Sequence, residues 1–94
     1  MRASAQRRVP GGKQVRVHLE LEGGAVKAAE ISGDFFLYPE DSLRALEDAL
    51  VGLSASTPEG SVLMLVELIF ATHNITSFGF TPQDLARTIW EALR

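Results

Sequence analysis

Cysteine is absent from the 94 residues, which removes disulfide stapling, thiolate zinc sites, iron-sulfur assembly and cysteine nucleophiles from what this chain does by itself. Long apolar runs are also missing. The longest, Val62 to Ala71, contains Glu67 and reaches about half the length of a membrane-spanning helix. Met1-Arg2-Ala3-Ser4-Ala5-Gln6-Arg7-Arg8 is basic but lacks the apolar core of a signal peptide, so the expectation is a cytoplasmic protein with no membrane partner. Acids are absent until Glu20: Arg2, Arg7, Arg8, Lys13 and Arg16 leave residues 1–19 at +5, and the other four cations against all twelve acids leave residues 20–94 at −8.

What is present suits one globular domain. A hydrophobic fraction of 46% with 22% charged residues is ordinary for such a fold. A chain this short removes only about two thirds of its unfolded surface from water, so a stabilising partner is reasonable on size alone. Residues 1–8 are expected to form a flexible basic arm, and residues 9–94 a single domain. The arm either frays in solvent or meets the phosphates of a nucleotide or an acidic partner. A nucleic-acid role is disfavoured by the acidic body and by the lack of aromatics among the arm's charges.

Between Gln14 and Glu22 the pattern alternates, with Val15, Val17, Leu19 and Leu21 on one side and Arg16, His18, Glu20 and Glu22 on the other, as in a strand with one buried face. Gly23-Gly24 supplies a hairpin turn, and a return strand spans about Ala25 to Ser32, with Phe35-Phe36 extending into a third short strand. Pro39-Glu40-Asp41 reads as a first helical turn of a helix that runs to about Val51 and stops at Gly52, lying across the hairpin. A second helix spans about Pro58 to His73. Its apolar residues surround nearly the whole circumference, which requires a central position or a covering chain. Thr81-Pro82-Gln83-Asp84 starts the last helix, with a cap, a first-turn proline and a capping-box acid, and Phe80 and Leu85 are spaced as a hydrophobic staple. The fold class is therefore α+β: a small antiparallel hairpin or three-stranded sheet packed by about three helices.

Few residues carry the spacing of a chemical site. Gly11-Gly12-Lys13 is followed by Gln14 and a strand, not by the Ser or Thr and helix of a phosphate loop. Two readings of Lys13 stay open: a solvated lysine at a glycine turn, or a point charge offered to a phosphate held mainly by another protein. Ser32, Asp34 and His73 make a nucleophile set only on paper, since geometry defines a triad. Asp34 is better explained as a turn or cap residue satisfying backbone donors ahead of the helix. His18 on a polar strand face and His73 at a helix end do not form a metal site, and no residue is assigned as catalytic. Phe35 and Phe36 are either both core residues around a kink, or one of them is an outward interface anchor.

Taken in order, Pro10-Gly11-Gly12-Lys13, the alternating strand, Glu22-Gly23-Gly24, Ile31-Ser32-Gly33-Asp34-Phe35-Phe36 with Pro39-Glu40, and the tail Phe78-Gly79-Phe80-Thr81-Pro82 with Asp84-Leu85 resemble the small C-terminal domain of lipoate-protein ligases, including versions made as a separate accessory chain. The resemblance implies a fold like that of iron-sulfur scaffold proteins, without their cysteine chemistry. It also implies a larger catalytic subunit that activates lipoate with ATP and Mg to lipoyl-AMP, then transfers lipoyl to a lysine of lipoyl-acceptor domains. The small domain would assist the activation step, bind none of these compounds alone, and be inactive alone, because the glycine-rich lipoate-binding motif and the lysine of the catalytic domain are absent. By the same resemblance Gly11, Gly12 and Lys13 are expected to contact partner or phosphate, and Ser32, Gly33, Asp34, Phe35 and Phe36 to form a docking edge. The competing expectations are a partner-binding module of the same fold serving another assembly, and self-association when the chain is alone.

Overall fold

The alternation of Val15, Val17, Leu19 and Leu21 organises the molecule, because all four side chains are buried while their neighbours face outward. A computed structural model describes residues 1–11 and 13–94. Its eight elements are β1 Arg2–Arg8, β2 Gln14–Glu22, β3 Ala25–Gly33, β4 Phe36–Tyr38, α1 Ser42–Leu50, α2 Glu59–Thr72, β5 Thr76–Phe78 and α3 Pro82–Leu93. Strand β2 is central in an antiparallel sheet of order β1-β2-β3, and β4 pairs with β5 in a separate two-stranded ribbon.

Gly23 and Gly24, at φ 63° and 79°, provide the two left-handed residues that a tight hairpin turn matching the strand twist requires. A register shift between Glu20 and Leu21 pairs Leu21 with Val26 and Leu19 with Ala29. The extra residue lets Val26 and Ile31, an odd number of positions apart, both enter the core. The free edge of β3 is closed from outside. The Ile31 N–H donates to Glu47 Oε2 on α1 (2.7 Å), and Val26 exchanges backbone bonds with Gly52 and Leu53.

Two expectations change. Residues 1–8 are not a flexible arm but strand β1, paired along its length from Arg2↔Glu20 to Arg8↔Gln14. Ala3 and Ala5 lie partly buried against the core, and their small side chains let α3 pack over this strand. Arg7 reaches Glu91 of α3 at 3.7 Å, and Arg87 joins Glu91 to Glu59 of α2. Such exposed pairs contribute little energy each, but they fix which way the cations point. The third strand of the main sheet is therefore β1, and Phe36 begins the separate ribbon instead.

Helix α1 starts later than expected, at Ser42, because Pro39-Glu40-Asp41 forms a turn in which the Ser42 N–H donates to the Pro39 carbonyl; the Tyr38–Pro39 peptide is cis. It packs on β3 as the crossing helix should. Helix α2 packs chiefly on α3 and less on α1. Only Val62 and Val66 are buried along it, while Met64 and Leu68 are 71% and 60% exposed, so it is peripheral rather than central.

The start of α3 holds both halves of a capping box: Asp84 N–H donates to Thr81 Oγ1 (3.1 Å), and Thr81 N–H donates to Asp84 Oδ2 (2.9 Å). Phe80 and Leu85 are both buried, as a staple requires. Because α3 covers both β1 and β2, weakening its start is felt by the whole sheet. Thr81→Ala is expected to lower unfolding free energy by about 1 kcal/mol, read as a reduced urea midpoint with an unchanged slope.

Candidate interaction site

Three chain segments meet where the main sheet ends and the ribbon begins. The first is the connection between β1 and β2, closed by the Val9 N–H donating to the Lys13 carbonyl at 2.7 Å. Val9 is buried beneath it, and Gly11 takes φ 101°, which favours glycine. Gly12, expected at the same contact, lies outside the described residues.

The second segment is the end of β3. The Gln14 N–H donates to Asp34 Oδ1 at 2.6 Å, and the Asp34 N–H donates back to the Gln14 carbonyl at 3.3 Å. Gly33, at φ 154°, has no room for a Cβ, which would collide with the Gln14 carbonyl oxygen and the Phe35 ring. Asp34 does satisfy a backbone donor, but that donor begins β2 and does not belong to the following helix. The bond from Gln14 holds the Asp34 carboxyl below its usual pKa against the opposing effect of desolvation, and its own backbone N–H and the charges of Lys13 and Arg8 add to the lowering.

The third segment is the approach to α3. Gly79 sits at φ 110°, and a Cβ there would lie 3.1 Å from Lys13 Cγ and 3.2 Å from Phe35 Cβ. The stem of Lys13 therefore passes beside Gly79, next to which Phe35 also lies. Phe35 turns inward and meets Phe80 edge-to-face at 4.9 Å, and Phe80 meets Phe70 at 6.4 Å. Ser77 Oγ donates to the Phe80 carbonyl (2.8 Å) and fixes the bend after β5.

Phe36 turns outward, so the two rings are not both core residues around a kink. Its cross-strand partner is Phe78, ring centroids 6.1 Å apart, and Tyr38 follows two positions along on the same face. The three rings are 59%, 59% and 63% exposed, and the intervening Leu37 is buried. Tyr38 was not singled out from the sequence, and Phe78 entered only as part of the tail. Three-residue strands are too short for periodicity to register, although Phe36-x-Tyr38 carries the alternation.

The sequence-based docking set does not lie on one edge. Ser32 pairs with Arg16 on the sheet face opposite Ile31, Gly33 and Asp34 clamp Gln14, Phe35 is half-buried against the core, and of the set Phe36 alone is on the exposed ribbon. His73 lines a groove between α1 and α2 with Asp41 and Asp48, and Asp34 is committed to Gln14, so the paper triad is not assembled. No three potential metal ligands converge among the described residues, and no helix among them is long and apolar enough to cross a membrane. The arrangement presents a surface: an aromatic ribbon with a lysine held at one end.

The family described as the bacterial lipoate protein ligase C-terminus matches residues 1–89. Lipoate-protein ligase A subunit 2 of Thermoplasma acidophilum is 35% identical over 77 residues, covering 80% of this chain and 74% of the relative. A chain from the solved structure of an archaeal lipoylation system, a bi-partite lipoate protein ligase and its E2 lipoyl domain from the same organism, superposes with a TM-score of 0.77 at 32% identity. That match covers 100% of this chain and 96% of the other.

The Asp34 clamp has a pH signature. A carboxyl whose pKa is lower in the folded state stabilises the fold above its unfolded value, near 3.9, and that contribution is lost as pH falls through the folded value. Asp34→Ala is therefore expected to reduce the urea midpoint at pH 7. The gap between variant and parent should narrow as pH falls below about 4 and through the folded value; a gap that did not narrow in acid would show that the carboxylate's charge is not what matters.

Proposed function

Because the chain belongs to the bacterial lipoate protein ligase C-terminus family, we propose that it is the non-catalytic accessory subunit of a two-subunit lipoate-protein ligase, enabling a separate catalytic subunit to convert lipoate and ATP to lipoyl-AMP. The whole-chain likeness to a chain of a bi-partite ligase supports this reading, and so does a ring-bearing ribbon that the chain itself leaves uncovered. Lipoyl-acceptor domains are then indirect partners.

In this proposal the accessory subunit closes over the partner's active site, orders its nucleotide-binding loops and helps exclude water from the adenylate. Closure assembles a site without donating a reacting side chain. In this proposal lipoate, ATP and Mg are bound by the catalytic subunit. The Asp34–Gln14 bond and Gly79 position Lys13, and Lys13 offers a point charge to the phosphates. Phe36 belongs to the docking edge, whereas Phe35 supports it from within.

The deciding experiment is ATP- and lipoate-dependent pyrophosphate release by the separately purified catalytic subunit, with and without this chain at matched concentration. Release is expected only when both are present. No change, under conditions where the catalytic subunit still transfers lipoyl from premade lipoyl-AMP, would overturn the proposal. Lys13→Met keeps an apolar stem against Gly79 while removing the charge. It is expected to slow release about tenfold, equivalent to roughly 1.4 kcal/mol of charge-assisted contact, and to leave transfer unchanged; unaltered release would remove Lys13 from the mechanism.

A further inference from the structure

Helix α2 and the β4–β5 ribbon both leave apolar side chains in solvent, but they differ in kind. Met64 and Leu68 are flexible aliphatic chains on a peripheral helix. Phe36, Tyr38 and Phe78 are rings on one face of a paired ribbon, and rings present large contact area while losing little side-chain entropy on binding. At about 200 Å² per aromatic side chain, the exposed fractions leave roughly 350 Å² of ring surface in one patch. That is near half of the roughly 800 Å² each partner contributes to a standard interface, enough for its centre and too little for the whole.

The ribbon also has electrical polarity. At the Phe36/Phe78 end the Lys13 stem passes beside Gly79, next to which Phe35 also lies, and these two residues flank that ring pair. Beyond Tyr38, at the other end, the chain continues into Glu40 and Asp41.

From these features we infer that the outward face of the β4–β5 ribbon is the surface that docks on the catalytic subunit, with Phe36, Tyr38 and Phe78 entering an apolar recess whose rim is acidic beside Lys13 and basic beside Glu40 and Asp41. This deepens the accessory-subunit proposal and rests on it. The ribbon suits that task because Leu37 is buried beneath it and the Ser77–Phe80 bond ties its far strand to the start of α3, so the rings are presented on a fixed platform. A two-stranded ribbon without such support is marginal in water.

The test is calorimetric titration of the purified catalytic subunit with the full chain and with Phe36→Ser, Tyr38→Ser and the double variant Met64→Ser/Leu68→Ser. Circular dichroism and urea midpoints verify folding. Tyr38→Ser is the cleanest variant, because that ring makes no ring pair among the described residues. Each ring variant is expected to weaken binding by about 30-fold or more, as for an interface aromatic at a hot spot, and the helix variant by less than about threefold. Parent chain that binds while the folded ring variants bind equally well would overturn the docking surface and leave the accessory role standing; loss only in the helix variant would move the interface to α2. Parent chain that neither binds nor promotes pyrophosphate release would sink the accessory role itself. The polarity of the ribbon would also let two copies pair head to tail, so sedimentation equilibrium of the chain alone completes the test. A dimer dissolved by Tyr38→Ser would assign the patch to a second copy and overturn the inference.

Discussion

The close approach of Gly33 to Gln14 is the constraint from which the rest of the site follows. The backbone at the end of β3 lies so near the Gln14 carbonyl that a side chain at position 33 would occupy the same space. Once that contact is made, Asp34 bonds the backbone of Gln14 through both its carboxylate and its N–H. The chain then leaves the main sheet at a fixed point and in a fixed direction, with Phe35 turned in against Phe80 and Phe36 turned out. The same contact anchors the connection that carries Lys13. One missing Cβ thus determines where the sheet stops, where the ribbon starts and where the lysine is held.

The carboxylate adds something glycine alone does not. Asp34 is acidic in a neighbourhood containing Lys13 and Arg8, and it interacts with both charges. In a chain whose cations are concentrated in residues 1–19, it offsets repulsion where β1 turns into β2. Coupling at exposed positions is weak and screened by salt, so the bond to Gln14 fixes geometry while the charge tunes the field around Lys13.

Much of the fold was legible because its signals are local and repeated. The alternation of β2, the glycine pair, the capping box and the Phe80/Leu85 staple each name an element, and each element is present. Strand β1 was hidden because its inward positions are Ala3, Ala5 and Arg7, two small residues and a cation, with none of the branched or aromatic residues that mark a strand. Its cations suggested solvent, yet Arg7 is taken up by Glu91, whose position is visible only once α3 lies across the sheet. The ribbon was half legible: Phe36 was noted as a candidate anchor and Phe78 only as part of the tail, while Tyr38 was not noted, because pairing across 42 residues between Phe36 and Phe78 leaves no periodic trace. The Asp34–Gln14 bond spans 20 residues and was misread as a local cap for the same reason.

These features place the molecule between a self-sufficient domain and half of a larger one. The core beneath β2 is continuous, with α3 and α1 on the sheet, so the chain has its own reason to fold. Its ribbon, however, holds three rings in water on a platform fixed from below. Burying roughly 350 Å² of ring surface gives about 9 kcal/mol from this side at about 25 cal/mol/Å², the same order as the roughly 4–15 kcal/mol that association costs in lost freedom. A patch of that size forms a specific complex only if it is already ordered and its neighbourhood is electrostatically matched. The cross-strand pairing and the bond from Ser77 supply the order. The lysine at one end, placed there by Gly79 and indirectly by Gly33, supplies an asymmetric charge, so under the docking proposal the constraint that ends the sheet would also orient the catalytic subunit on the ribbon.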